Sequence, residues 1–276
     1  MKDNICSKNE KNTENRKQNT FLHIADTNAN KYMALSRSID SQLGNRVQRI
    51  IFYLAREKYT DICVPNIVHL KHDEKENEMI VTLYSAPIKL PIKCQNKDYN
   101  PFQQYIYVDR EISDAKFKKL FKIKSDCNKI KTIQIKFSNC SKKILTEYYN
   151  NLGKSIPVDL LIFYFNDKDE IDYLNLCEIK LGGNLDTKNA PSNANEVLKN
   201  KNLFSFIGNT HSYFATCYGK CSPSVAGAIC KNGCELLSPE LLWKMILPDT
   251  LSYDSFICEY TKAFKKAKVE ATIKKL

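Results

Sequence analysis

Two apolar runs separated by a short polar turn constrain this chain more than anything else in it. Val158 to Phe165 and Ile171 to Leu181 are rich in β-branched and aromatic residues, and Asn166-Asp167-Lys168-Asp169-Glu170 lies between them, so the segment reads as a β-hairpin. With Lys168 and Asp169 at the centre of the turn, antiparallel register pairs Asp159 with Glu178, Leu161 with Leu176 and Phe163 with Leu174. Side chains alternate across a strand, so these six share one face with Lys180. The opposite face (Leu160, Ile162, Tyr164, Tyr173, Cys177, Ile179) is also largely apolar, as expected of a central strand pair covered by helices on both sides. Two carboxylates and an ammonium thus crowd one end of an oily surface. Charges on a buried sheet are costly unless paired or bound to an ion. The residues alone leave both explanations open: a salt bridge from Lys180 to Glu178 or Asp159, or an ion site.

The E-x-K spacing is not informative by itself. Asp73-Glu74-Lys75, Asp114-Ala115-Lys116 and Asp186-Thr187-Lys188 share it in polar or mixed surroundings. The setting of Glu178-Ile179-Lys180 differs: Pro157-Val158-Asp159 opens one strand, E-x-K ends its partner, and Gly182-Gly183 follows. This arrangement resembles the PD-(D/E)XK nuclease superfamily, with Val158 inserted inside the usual Pro-Asp pair. The continuation GGNLDTKNAPSNANEV is similar to what type II restriction endonucleases carry after that lysine, and Gly182 to Ala190 with Tyr213-Phe214-Ala215-Thr216 looks like the TdeIII group among them. The resemblance runs from Glu147 to Tyr218.

The resemblance implies an α/β fold with a restriction-endonuclease-like mixed central β-sheet flanked by helices. It implies sequence-specific hydrolysis of double-stranded DNA, with Mg²⁺ held by Asp159, Glu178 and the main-chain carbonyl of Ile179, and with Lys180 orienting the attacking water. Glu147, on a helix just before the hairpin, would add a further carboxylate. Lys188 and Asn189, with Asp186, lie on the loop after the hairpin where DNA would pass. A two-fold homodimer and a cognate DNA methyltransferase are the implied partners. A repair or junction nuclease of the same superfamily and a non-catalytic DNA-binding module are the alternatives.

Composition agrees with a polyanion partner. The 276 residues carry a formal charge of +11 and a pI near 9.0, although heavy use of Lys and Asn also fits an AT-rich genome. The most basic stretch, Lys116 to Lys143, interleaves lysines such as Lys118, Lys119 and Lys122 with Phe117, Leu120 and Phe121, so the apolar residues can pack while the ammonium groups face outward. Such lysines would add affinity and salt dependence rather than base readout. A hydrophobic content of 43% supports a proper core, and no run of 18 apolar residues exists, which argues against membrane insertion. Neither is there an apolar signal segment. The 11 cysteines form no compact framework and read as reduced thiols of a cytoplasmic protein. Cys217-x3-Cys221 and Cys230-x3-Cys234 do not match the two-residue spacing favoured by zinc knuckles.

Met1 to Thr20 reads as a disordered polar arm and residues 21–276 as one domain. Helices are expected at Ser38–Lys58, at Ser141–Leu152, Asn193–Phe204, Pro239–Leu247 and Tyr253–Lys274; on the first of these the resemblance implies that an amide such as Gln48 is brought toward the metal, the alternative being a solvated helix face. Strands are expected within Asp61–Lys93, at Asn100–Tyr107 and at His211–Tyr218. Pro87 and Pro91 limit Ile88-Lys89-Leu90 to an edge strand or extended loop. Gln103, Gln104, Tyr105 and Tyr107 are candidates either to line a groove or to pack within the sheet.

Overall fold

A computed structural model describes residues 27–109, 112–125, 129–138, 140–182 and 190–266. In chain order these form α1 (Thr27–Lys58), β1 (Ile67–Asp73), β2 (Glu78–Ser85), a 3-10 turn (Ile92–Cys94), β3 (Gln104–Val108), α2 (Asp114–Phe121), β4 (Lys131–Phe137), α3 (Lys142–Asn150) and β5 (Ser155–Val158). There follow β6 (Leu160–Phe165), β7 (Ile171–Gly182), α4 (Ala190–Leu203), β8 (Asn209–Tyr218), α5 (Pro223–Lys231), β9 (Glu235–Leu237), α6 (Pro239–Ile246) and α7 (Tyr253–Lys266). The arm 1–20 and the loop residues Asp186, Lys188 and Asn189 lie outside the described residues.

The chain divides into two compact units. Described residues 27–50 and 249–266 belong to the smaller, where Ala34, Leu35 and Val47 are buried on α1. That helix begins at Thr27 rather than at Ser38, because Ala34 and Leu35 carry its apolar stripe further back than the run from Leu43 suggested.

The larger unit, Ile51–Pro248, holds both sheets. The α/β class expected from the sequence is present, but the strands form two mixed sheets instead of one. The first has order β4-β2-β1-β3-β5 and the second β6-β7-β8-β9. The chain passes from one to the other at Asp159: Val158 pairs with Gln104 of β3, whereas Leu160 pairs with Cys177 of β7. Pro157 lacks an N–H and confines β5 to an edge. The Gln104 side chain then closes the gap, accepting from Leu161 N at 2.8 Å and donating to Leu161 O at 3.1 Å and Pro65 O at 2.7 Å.

One apolar core joins the sheets. Leu70, Val81, Leu83, Ile106 and Val108 from the first meet Leu161, Phe163, Leu174, Leu176 and Phe214 from the second, with Tyr148 of α3 and Ala194 and Val197 of α4. Full burial of a side chain such as Phe163 or Phe214 contributes about 2–3 kcal/mol. The far face of the first sheet is covered by Phe117 and Phe121 of α2, packed on Ile67, Ala86, Leu90 and Tyr107. On the outer face of the second sheet, Trp243 of α6 donates to Cys217 O at 2.9 Å, and Tyr59, just past α1, reaches Tyr164 Oη at 3.2 Å and Met245 O at 2.7 Å.

Serines start four of these helices: Ser113, Ser141, Ser222 and Ser238 each accept from the N–H three residues on. Pro223 and Pro239 occupy first-turn positions, where a missing N–H costs nothing. The stretch between Pro87 and Pro91 forms no strand. Among the described residues no helix is long and apolar enough to cross a membrane.

Candidate active site at the sheet crossover

The hairpin adopts the register read from its sequence, with Leu161 opposite Leu176 and Phe163 opposite Leu174. Its turn is one residue longer than the two-residue turn read from the sequence, with Asp167, Lys168 and Asp169 between Asn166 and Glu170. Asp169 takes a left-handed conformation at φ 61°, Asn166 N donates to Glu170 O at 2.9 Å, and a register shift follows at Tyr164/Phe165. The Asn166 side chain accepts from the N–H of Lys168 at 2.9 Å and of Glu170 at 3.0 Å, which fixes the turn.

Leu160 and Cys177 form the last backbone rung of this pair, so Asp159 and Glu178 stand at the next one, where β6 has ended. The N–H of Ile179 donates there to Asp159 Oδ2 at 2.8 Å. A strand residue's N–H and C=O leave on the same edge, so the Ile179 carbonyl also faces the Asp159 side. The carboxyl groups of Asp159 and Glu178 are close enough that each acts electrostatically on the other. Lys180 Nζ lies 2.5 Å from Glu178 Oε1, and the side chains of Glu178 and Lys180 keep 19% and 30% of their surface open to solvent.

The electrostatics of this cluster do not balance. Burial, and then the charge of Glu178, push the Asp159 carboxyl up to about 7, against the opposing pull of the Ile179 N–H and of Lys180. One ammonium compensates one carboxylate, and the second carboxyl holds a proton into the neutral range. Two carboxyls and a nearby main-chain carbonyl are hard oxygen donors, and a divalent cation would relieve their repulsion more completely than one proton does. That donor set fits Mg²⁺, which keeps several waters and needs few protein ligands. Among the described residues no group of three or more His, Cys, Asp or Glu side chains gathers to hold a metal, so a set with fewer side-chain donors is what these residues offer.

Other sequence candidates are placed less centrally. Glu147 is half-buried on α3; among the described residues its carboxylate makes no hydrogen bond or ion pair to Asp159, Glu178 or Lys180, and it is its backbone carbonyl that accepts from Asn151 at 2.8 Å. Gln48 belongs to the smaller unit. Lys118 and Lys119 line a cavity of about 910 Å³ on α2 with Asn96, Asp114, Ala115, Ile123, Lys124 and Ser125, and Lys122 is the exposed C-cap of that helix. They are not part of the carboxyl cluster, since α2 covers the far face of the first sheet. They do stand at the same end of that sheet. Asn96 N donates to Lys122 O at 2.8 Å and Asn100 N to Phe121 O at 3.3 Å, and this loop leads into Gln104, the partner of Val158.

Gln104 was a groove candidate on its residue type, yet it is buried and bonded to Leu161 and Pro65. The signal was its alternation with Ile106 and Val108, which are core residues. Its role is to hold the start of β6 two residues after Asp159. Among the late cysteines, burial pushes the Cys217 thiol up to about 12, with Asp159 adding to the effect, and Cys234 donates to Ala194 O at 3.4 Å. No protein-family model, curated protein or solved structure matches this chain.

Proposed function

We propose that this protein is a magnesium-dependent endonuclease for double-stranded DNA, of the type II restriction class that Pro157 to Lys180 resembles. The observation that carries this reading is the uncompensated carboxyl pair. Asp159 and Glu178 stand close together at the open end of an apolar sheet face, with one lysine, paired to Glu178, to offset both. In this reading Asp159, Glu178 and the Ile179 carbonyl hold the metal. A bound Mg²⁺ supplies Lewis acidity toward the phosphodiester and lowers the pKa of a water. Lys180 Nζ, released from Glu178, orients that water and stabilises charge developing on the phosphate. Gln104 keeps Asp159 in register by fixing Leu161. Lysines at the same end of the first sheet, Lys118, Lys119 and Lys122, contribute affinity for the DNA backbone, and Lys188 and Asn189 are carried in this proposal from the resemblance. A homodimer cutting both strands, a companion DNA methyltransferase and a cytoplasmic site of action complete it; the described cysteines are all free thiols.

Digestion of a mixed-sequence plasmid tests the reading. Discrete bands are expected in Mg²⁺, none with a chelator, and none with Asp159→Asn or Glu178→Gln, while Asp159→Asn binds duplex in Ca²⁺ at least as tightly as the wild type. Rates should fall to about one-thousandth or less. A smear instead of bands points to a superfamily nuclease without site specificity, and binding without scission to a non-catalytic module. Wild-type cleavage by Asp159→Asn refutes the assignment.

A structural ion pair is the second reading, favoured by the 2.5 Å contact between Lys180 and Glu178. It predicts that Lys180→Ala lowers the thermal midpoint and that no variant of the cluster changes any activity on DNA.

A further inference from the structure

The face that carries Glu178 and Lys180 continues to the ends of β7 and β8. Parallel register sets Glu178 beside Phe214, Lys180 beside Thr216 and Gly182 beside Tyr218. Residues paired in this way point to the same side of the sheet, and so do residues two apart along a strand. Along β8 this row passes from core to solvent. Phe214 is fully buried, Thr216 is buried with its hydroxyl donating to Gly219 O at 3.3 Å, and Tyr218 is 57% exposed. Tyr218 is therefore the group at the open end of the row, one side-chain repeat, about 6.6 Å, beyond the Lys180–Thr216 rung.

Gly182 explains how the ring sits there. A side chain at position 182 would place its first carbon 2.8 Å from Cζ of Tyr218 and 2.9 Å from Cε2 and Oη. Gly182 is not among the glycines with positive φ, so it supplies room rather than an unusual backbone conformation. The phenol lies in the space that a glycine leaves, over the strand that carries Lys180. Among the described residues its hydroxyl has no hydrogen-bond partner.

We propose that Tyr218 contacts the substrate: its hydroxyl donates to a backbone phosphate of double-stranded DNA next to the phosphate held at Asp159 and Glu178. The proposal rests on the nuclease reading and extends it to a residue outside the E-x-K motif. A neutral donor suits this place. Tyrosine hydroxyls are among the groups that fix a duplex in register through its phosphates. Such a contact adds affinity without displacing a counterion, so it leaves the salt dependence of binding unchanged, unlike a lysine contact.

The test compares wild type, Tyr218→Phe, Tyr218→Ala, Gly182→Ala and the double variant Gly182→Ala/Tyr218→Phe. Duplex affinity is measured in Ca²⁺ over a range of salt, and scission in Mg²⁺. Tyr218→Phe is expected to weaken binding about tenfold, the effect of one hydrogen bond to a charged acceptor, with the loss in affinity rather than in rate at saturating DNA. The salt slope stays that of the wild type. Tyr218→Ala should lose no more than about twice what the phenylalanine variant loses. Gly182→Ala, which leaves the tyrosine in place but fills its space, should weaken binding similarly, and the double variant should match the singles because all remove one contact. Wild-type affinity in Tyr218→Phe overturns the inference, as does a loss confined to Tyr218→Ala, which would mean ring stacking rather than a phosphate contact. If wild type cuts DNA and Tyr218→Phe binds equally well, only this inference fails. If wild type neither binds nor cuts duplex, the nuclease reading fails and this inference with it.

Discussion

Two clusters of charge in the larger unit, one around Arg56 and one at Asp159 and Glu178, are built on opposite principles. Arg56, at the end of α1, is only 5% exposed, yet its guanidinium is met on every side. Nε donates to Val64 O at 2.8 Å, Nη2 to Asn66 Oδ1 at 2.8 Å and Nη1 to Ala86 O, with Asp61 3.7 Å away and the Phe52 ring centroid 4.5 Å below. Burial pushes it down to about 10, and Asp61 pulls it back up, so it stays charged near neutrality. Asp159 and Glu178 instead stand on one rung, where the charge of Glu178 helps push the Asp159 carboxyl up, and one lysine offsets two carboxyls. A fork of donors aimed at fixed carbonyls is an anchor that needs nothing further. A pair of like charges costs stability unless a proton, a neighbouring cation or a bound ion offsets it. Under the proposed function, the contrast separates a buried charge that serves the fold from one kept for a ligand.

The largest expected effect breaks the anchor. Arg56→Met leaves the carbonyls of Val64 and Ala86 without their side-chain donor, and takes one of two donors from Asn66 Oδ1 and one of two cations from Asp61, which keep Ala86 N–H and Lys131; it is expected to lower stability by about 3–5 kcal/mol, read from urea unfolding. The same measurement on metal-free Asp159→Asn should move the other way. Asparagine is nearly isosteric, still accepts from Ile179 N–H and still reaches Glu178, but it removes a charge that burial and Glu178 oppose. A gain of about 1–3 kcal/mol at pH 8 is expected. Equal losses at both positions would erase the distinction between them.

That gain must depend on pH with a definite sign. The folded-state pKa of Asp159, about 7, lies above its ordinary 3.8, so the folded chain binds the proton more tightly than the unfolded chain. Its contribution to stability is fully present below about pH 4 and is lost as pH rises through 7. The stability difference between Asp159→Asn and wild type should therefore be near zero at pH 4, grow between pH 4 and 7 and level off above. Saturating Mg²⁺ should shrink it at pH 8, because the cation stabilises the wild-type carboxylate. A difference flat from pH 4 to 8 would show that Asp159 ionises normally.

The two places also differ in how legible they were. The hairpin register followed from alternation alone: Leu161, Phe163, Leu174 and Leu176 had to face one core, and a one-residue slip would have turned them all to the other face. Asp159, Glu178 and Lys180 came with it. The division into two sheets did not, because it turns on Pro157 and on a Gln104 side chain that replaces backbone pairing between residues 57 positions apart. Arg56 was equally hidden. Its partners Val64, Asn66 and Ala86 are brought round by β1 and β2, and nothing in the helical pattern of α1 marks this arginine as different from Arg46 or Arg49. Local period is readable in one chain; a long-range contact made by a single polar side chain is not.

The smallest expected effect concerns a residue that carries charge where the backbone would prefer none. Lys122 caps α2 in the left-handed region, at φ 59° and ψ 40°, with its N–H donating to Lys118 O and Lys119 O. Glycine is the residue suited to that position, since a Cβ there is strained. Lys122→Gly should thus raise stability by about 0.5–1 kcal/mol, the reverse of the usual effect of glycine at a helix. Under the nuclease reading it should also weaken duplex binding and reduce the slope of log affinity against log salt by about 0.9, the value of one phosphate contact. Opposite movement of stability and binding in one substitution would place Lys122 with the carboxyl pair, among groups kept for what they meet rather than for what they hold together. A gain in stability with an unchanged salt slope would leave the lysine as a solvated surface charge and confine the DNA-binding surface to the remaining basic residues.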